Sequence, residues 1–528
     1  MFRVLATAPQ RCCTRRLHLK AYFTSTAART VPSKRDISDD KINYNPELSF
    51  NDTVGEHATY PQVSARDLAV HSAPPKRVKM LVRDFIEDSL YNPHYGYFSQ
   101  QASILTAGEK AGEGEAGFDF GRYRDMAEFD TAVAQRYTDA GAVGSDGPGK
   151  QLWHTPTELF KPWYGQAIAQ CLVSEYLLKY FPYEDFVIYE IGAGNGTLAR
   201  NILDYVREHY PDVYDRTRYN IIEISAKLAR AQRHRLKDHS CVQVVNKSVF
   251  HWKEKEASPC YFVAMEVVDN FAHDVVRYDL QTLEAYQGLV AVDQNGDFVP
   301  FYSRISDPLV ASFLSLRRRL SHPPSLPRFL GIPALRKLYT KLPFAANLSP
   351  PEYIPTRLLS LLRVLRTSFP RHRLLLSDFS SLPDTISGVN APVVQTRVGA
   401  TMVPCSTLFV RQGYFDILFP TDFERLRDMY EDILSQPHCA DSQRPSLLSG
   451  SMSPLSVGAG FFSSYAPDTR RHPLDGVTSA SGLPVGERKS SVFTHAEFLE
   501  TYADLGRTKL GSGENPMVDF YKNVKFLF

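Results

Sequence analysis

The sequence lacks the features that would place it in a specialised class. Only seven cysteines (positions 12, 13, 171, 241, 260, 405 and 439) are scattered over 528 residues, and no C-x-x-C pair occurs. That odd, dispersed set reads as reduced thiols, so neither a disulfide framework nor a zinc site is indicated. No apolar run is long enough to span a bilayer. The formal net charge is only +2, so the chain as a whole gives no argument for a nucleic-acid partner. No internal repeat is visible. What is present is an ordinary globular composition, 43% hydrophobic and 22% charged. It supplies ample material for a large core and predicts two or more domains, or one domain with long insertions.

Two stretches lack acidic residues altogether. Residues 1–35 carry Arg3, Arg11, Arg15, Arg16, Lys20, Arg29, Lys34 and Arg35 among leucine, alanine, serine and threonine. That is the make-up of a mitochondrial transit peptide, with processing expected between Tyr22 and Val31 and residence in the matrix. The second, Pro308 to Pro351, holds Arg317, Arg318, Arg319, Arg328, Arg336, Lys337 and Lys341. We expect it, with a basic amphipathic helix over Tyr353–Phe369, to form a basic insertion at 308–370. A solvated face is the default reading; docking on an acidic partner or on the anionic inner membrane is the alternative. Residues 36–76 read as a loosely ordered lead-in. Residues 101–150 read as a partly disordered insertion with a helix near Tyr123–Tyr137. Residues 436–488, rich in serine, proline and glycine, read as a disordered insertion.

The informative stretch is Phe186–Glu208, FVIYEIGAGNGTLARNILDYVRE. A β-branched apolar segment, Phe186 to Ile191, runs into Gly192, Gly194 and Gly196, and an amphipathic helix opens at about Thr197. A strand feeding a glycine turn and a helix N-terminus is a nucleotide-sized docking site. A dinucleotide turn would place its third glycine at Thr197; here the series is E-x-G-x-G-x-G, led by Glu190. Further strands are expected at Arg218–Ser225, carrying Glu223 near its end, at Val242–Ser248, and at Cys260–Val268, which reaches Glu266 and then Asp269-Asn270. With a helix over Ala226–Lys237 between them, this is a doubly wound α/β pattern. Upstream, Leu81–Tyr91 has helical periodicity and Asn92–Phe98 forms an aromatic turn. Pro156 starts a helix running through Gln170 and Leu177, with Thr157 and Glu158 in its first turn, as caps or as ligand contacts. Downstream we expect a hairpin over Glu284–Phe301, a strand at Arg373–Phe379, a strand pair around Gln412-Gly413, and a C-terminal segment packing back over His495–Phe528.

The glycine series resembles the first motif of class I S-adenosylmethionine (SAM) methyltransferases. More specifically, the chain looks like the MidA-like family, mitochondrial methyltransferases of complex I assembly that dimethylate an arginine. Gly96-Tyr97-Phe98 is similar to that family's aromatic turn, and Thr155-Pro156-Thr157-Glu158 loosely to its helix start. Glu190–Leu198 is similar to its glycine motif, Ile222–Leu228 to its second-strand segment, and Met265–Asn270 to its acidic segment. Residues 77–415 are covered with interruptions. Asn195 stands where the family has arginine, Ala193 where it has proline, and Met265 where it has asparagine.

The resemblance implies a class I SAM-methyltransferase fold over 186–420, preceded by a helical lid region at 77–185 and followed by a C-terminal segment at 421–528. It implies SAM as cofactor, held by Glu190, Gly192, Gly194, Gly196 and Glu223 with Thr157 and Glu158 close by. It further implies type II symmetric dimethylation of arginine in a protein substrate, with a complex I subunit as the partner. For such chemistry Glu266 and Asp269 are the candidate catalytic pair, since carboxylates orient a guanidinium and hold its charge. Capping of the next helix is the plain alternative for both. A non-catalytic assembly factor retaining the fold, and a small-molecule methyltransferase, are the functional alternatives.

Overall fold

In a computed structural model the described residues are 56–528, except 101, 105–116, 140–150, 154, 399–400 and 436–489. The expected leader at 1–35, residues 36–55 of the lead-in and all of the insertion at 436–488 lie outside them.

One seven-stranded sheet organises the chain. Its strands are β1 (Phe186–Ile191), β2 (Thr217–Glu223), β3 (Val242–Asn246), β4 (Cys260–Met265), β5 (His372–Phe379), β6 (Val492–Thr494) and β7 (Val524–Leu527), in the order β3-β2-β1-β4-β5-β7-β6. Strands β1 to β5 are parallel to their neighbours, while β7 runs antiparallel between β5 and β6. This is the doubly wound α/β arrangement, with the strand order reversing between β1 and β4. Ligands bind outside the carboxyl ends of strands at such a switch point.

Both faces of the sheet are covered, which is why β1 reads as a continuous apolar run and not as an alternation. Phe186 and Ile188 join one core with helices α1 (Trp163–Lys179) and α2 (Thr197–His209). Val187, Tyr189 and Ile191 join the opposite core with α4 (Pro308–Arg319), α5 (Thr356–Ser368) and α6 (Phe423–Ser435). Helix α3 (Ala226–Arg235) links β2 to β3, and α7 (His495–Tyr502) links β6 towards β7. The C-terminal segment therefore completes the main sheet with two strands, and β7 pairs directly with β5.

A second, antiparallel sheet is built from Val78–Leu81, Asp274–Tyr278, Ala285–Val292, Phe298–Arg304 and Glu352–Ile354. It contains the expected hairpin, closed where the Asp293 carboxylate accepts three successive backbone N–H groups.

Several expectations are corrected. The helix begun at Pro156 ends at Leu159, and α1 restarts at Trp163, because Pro162 cannot donate to the helical ladder. Residues 101–150 are not uniformly loose: Phe118, Phe120, Phe129 and Val133 are buried in the main core. Residues 36–76 include a short helix, Ala65–Leu68, closed by a Ser64–Asp67 capping box. No strand pair forms around Gln412-Gly413. Asp416–Leu418 pairs instead with Val393–Val398, and a Cβ on Gly413 would stand 1.9 Å from the Tyr95 carbonyl oxygen, so the turn packs on the aromatic turn. The helix expected over Tyr353–Phe369 is confined to Thr356–Ser368, since Glu352–Ile354 is a strand whose glutamate is buried against Arg317.

Candidate active site

Past β1 the backbone turns through three positive φ values, +67° at Gly192, +53° at Gly194 and +78° at Gly196. Side chains rarely tolerate this conformation. At Gly192 a Cβ would also stand 2.7 Å from Val267 Cγ2, in the segment leaving β4. Gly196 precedes the first turn of α2, so unpaired backbone N–H groups gather at this turn.

The carboxylates expected here are all held by the protein itself. Glu190 is buried and accepts a bond from Tyr219 Oη at 2.8 Å. Burial lifts its carboxyl to about 7, against the Tyr219 bond and with help from the nearby Glu223 charge. Glu223, also buried and raised by burial, accepts from the Ser225 N–H at 2.7 Å and from Gln232 Nε2 at 2.9 Å. The same amide of Gln232 donates to Gly194 O at 2.8 Å, joining the end of β2 to the glycine turn. Gln232 Oε1 is buried without a hydrogen-bond partner among the described residues.

Thr157 and Glu158 part company. Thr155, not Thr157, caps the short helix Pro156–Leu159, accepting from the Glu158 N–H at 3.2 Å; Thr157 is buried behind it. The Glu158 carboxylate leaves its own helix and clasps the glycine turn. It accepts from Thr197 Oγ1 at 2.6 Å, Asn195 Nδ2 at 3.4 Å and Lys161 Nζ at 3.3 Å. Arg235, the last residue of α3, donates to Asn195 O and Thr197 Oγ1 at 3.2 and 3.0 Å. Asn195 therefore sits within reach of a guanidinium contributed by another element.

The end of β4 is different. Glu266 follows the strand with φ +53°, unusual for a side chain of this size, while its N–H donates to Ser377 O. Asp269 lies in the short 3-10 turn Val268–Asn270, whose N-cap Val267 makes no side-chain cap bond. Neither carboxylate is the cap of that turn. Asp378 of β5 holds the turn instead, accepting from the Val268, Asp269 and Phe379 N–H groups at 2.9, 3.1 and 2.8 Å. Asp416 accepts from Asn270 Nδ2 at 3.1 Å, and the Phe419 N–H donates to Asp269 O at 2.8 Å.

Four acidic side chains thus converge from three segments. Burial pushes the Asp269 carboxyl up to about 6. Burial, then the Asp269 charge, pushes Asp416 to about 7 and Glu266 to about 8. Asp378 is raised further by burial and by both neighbours. Asp269 Oδ1 is buried and lacks a hydrogen-bond partner among the described residues. Such a site favours a cation, which would restore ionisation of the group it meets. The helix Val82–Tyr91 and the aromatic turn pack against it: Tyr91 Oη donates to Asn270 O at 3.1 Å, and Tyr97 of the turn is fully buried near Asp416.

The sequence singled out Glu266 and Asp269 but missed Asp378, Asp416 and Gln232. Asp378 had a readable signal, since a carboxylate ending a buried strand is the pattern that marked Glu190 and Glu223. Asp416, inside the aromatic run Tyr414–Phe419, had none.

Three comparisons bear on this site. Residues 167–438, just over half of the chain, match a family model described as "Putative S-adenosyl-L-methionine-dependent methyltransferase". Two curated relatives are similar in sequence, each named a mitochondrial protein arginine methyltransferase NDUFAF7 homolog. The one from Schizosaccharomyces pombe is 24% identical over 249 residues, 44% of this chain and 51% of the relative. The one from Saccharomyces cerevisiae is 22% identical over 296 residues, 52% of this chain and 67% of the relative. The chain thus spans about half the length of the first. A crystal structure of a COG1565 superfamily member from Burkholderia thailandensis, bound to S-adenosyl-homocysteine, superposes with a TM-score of 0.42 at 16% identity, covering 72% of this chain and 83% of that one.

Proposed function

The chain belongs to this family of S-adenosyl-L-methionine-dependent methyltransferases, and we propose that it methylates arginine in a protein substrate. The residues at the switch point suit SAM. The Glu223 carboxylate keeps lone pairs for ribose hydroxyls, and Ile224 beside it is 55% exposed, an apolar face for a flat base. Gln232 Oε1 is an acceptor unused among the described residues, and the glycine turn, without side chains, suits close approach of the methionine tail. SAM supplies the electrophilic methyl group.

The chain's own residues would bind and orient the nucleophile. The single observation carrying this reading is the buried Asp269 Oδ1, without a hydrogen-bond partner among the described residues, within a cluster of four carboxylates from the ends of β4 and β5 and the start of Asp416–Leu418. A guanidinium entering there would pair with Asp269 and Glu266, which hold its charge and fix the angle of its nitrogen towards the methyl carbon. Asp378 and Asn270 would keep the turn in place. We assign the product as symmetric dimethylarginine, the substrate as a subunit of complex I, and the location as the mitochondrion, beside the inner membrane. The names of the yeast relatives support arginine methylation and the mitochondrial location, while the symmetric product and the complex I substrate rest on the resemblance in the motifs.

The test is transfer of labelled methyl from SAM to candidate subunits, followed by hydrolysis and separation of the methylarginines. Symmetric dimethylarginine formed by the wild type and lost in Asp269→Ala is the expected result. SAM binding without transfer to any protein would sink the enzymatic assignment.

A further inference from the structure

The acid-free stretch resolves into two parts with opposite fates. Helix α4 is integral to the fold: Val310, Phe313, Leu314 and Leu316 are buried, and Arg317 is buried against Glu352 at 3.0 Å. Beyond it, residues 328–342 form two short helices, Arg328–Gly331 and Pro333–Tyr339, attached through buried Leu330. The pair is braced internally, by an edge-on contact of Phe329 with Tyr339 and by Arg336 Nη1 donating to Leu330 O. The second helix buries none of its residues.

What this projection exposes is apolar. Phe329 is 49% exposed, Ile332 51%, Leu335 43%, Leu338 60% and Leu342 54%. Scattered exposed leucines are ordinary, but five large apolar side chains within fourteen residues form a patch. Arg328, Lys337 and Lys341 are exposed on the same segment, and no acidic residue lies between Pro308 and Pro351.

We propose that residues 328–342 are a membrane-docking element that inserts Phe329, Ile332, Leu335, Leu338 and Leu342 into the interfacial layer of an anionic lipid bilayer. Apolar side chains interleaved with long cationic ones are what an interfacial element needs: the first enter the acyl boundary while the second reach the headgroup phosphates. The side chains stand on a self-braced pair of short helices whose second member buries none of its residues. The charge fixes the sign of the lipid, since cations without acids are drawn to anionic headgroups. No helix among the described residues is long and apolar enough to cross a membrane, so this contact is peripheral. The inference stands apart from the methyl-transfer assignment and is tested without it.

The experiment is flotation of the full chain with vesicles of phosphatidylcholine alone or mixed with phosphatidylglycerol. The wild type is compared with Leu335→Ser/Leu338→Ser/Leu342→Ser and with Lys337→Glu/Lys341→Glu. The basic residues 1–35 are common to all three proteins and cancel. We expect the wild type to float with anionic vesicles and not with neutral ones, and each variant to partition at least about tenfold less. All altered positions are exposed, so unchanged melting and SAM binding are expected of both variants. Equal flotation of wild type and triple variant would overturn the proposal. So would a wild-type dimer in light scattering that the triple variant dissolves, because the patch would then be covered by a second copy.

Discussion

The two halves of the candidate site differ in what they have already satisfied. At the ends of β1 and β2 every expected carboxylate is spoken for: Glu190 by Tyr219, Glu223 by Ser225 and Gln232, Glu158 by Thr197, Asn195 and Lys161. Past β4 and β5 and at the start of Asp416–Leu418, buried Asp269, Asp378 and Asp416 gather beside half-buried Glu266, and Asp269 Oδ1 has no partner among the described residues. The first half is a rigid cradle whose shape is fixed before any ligand arrives. The second carries an electrostatic cost that a bound cation relieves. Preorganisation on one side and unmet charge on the other is the division of labour expected of a site that fixes one reactant and captures the other.

That contrast can be broken most forcefully at Asp269. Removal of this carboxylate in Asp269→Ala should lower kcat/KM for a protein substrate by roughly a thousandfold, about 4 kcal/mol, with SAM affinity nearly unchanged. Parallel loss of SAM binding by calorimetry would show that the two halves are not separable.

On the cradle side, Gly192→Ala must bear both φ +67° and the 2.7 Å approach to Val267. We expect roughly a hundredfold weaker SAM binding, about 3 kcal/mol, and unaltered affinity would mean the turn relaxes freely.

Glu190 supplies a stability test with a definite sign. Its folded carboxyl, at about 7, lies above the ordinary glutamate value. The fold therefore favours the protonated form; that advantage is present at pH below about 4.5 and is lost as pH rises through 7. Glu190→Gln should match the wild type in urea denaturation near pH 4 and exceed it by about 3 kcal/mol at pH 8. A constant difference across that range would remove the explanation.

For the carboxylate half the corresponding profile is kinetic. With Asp269 near 6 and Glu266 near 8, wild-type kcat/KM should climb on the order of a hundredfold between pH 6 and 8.5 as the pair ionises. Glu266→Gln should flatten the upper part of the climb. The smallest contrast lies between two threonines: Thr155→Ala loses a helix cap worth about 1 kcal/mol, whereas Thr157→Val should change the melting midpoint by less.

Much of the parallel sheet was legible because a strand buried on both faces has only one way to read, as a short apolar run. Phe186–Ile191, Cys260–Met265 and the Leu374–Leu376 centre of His372–Phe379 have that pattern, while Thr217–Glu223 shows it only in its second half. The edge strand Val492–Thr494 and the inserted β7 were not legible. Three-residue and four-residue strands carry too little periodicity, and pairing of β7 with β5 joins segments far apart in sequence. The basic stretch misled in the same way. Composition treats Arg317 and Lys337 alike, yet the first is buried on Glu352 and the second exposed on the projection.

By itself the sequence determined the glycine turn, the acids that end the strands and hence the class of cofactor, since these depend on residues adjacent along the chain. Tertiary structure alone decided that Glu158 clasps the turn, that Asp378 and Asp416 join Glu266 and Asp269, and that one basic segment is core while the next is exposed. Those outcomes depend on which distant segments share a low-dielectric space, and burial, which decides both charge state and partner, is a property of the folded assembly.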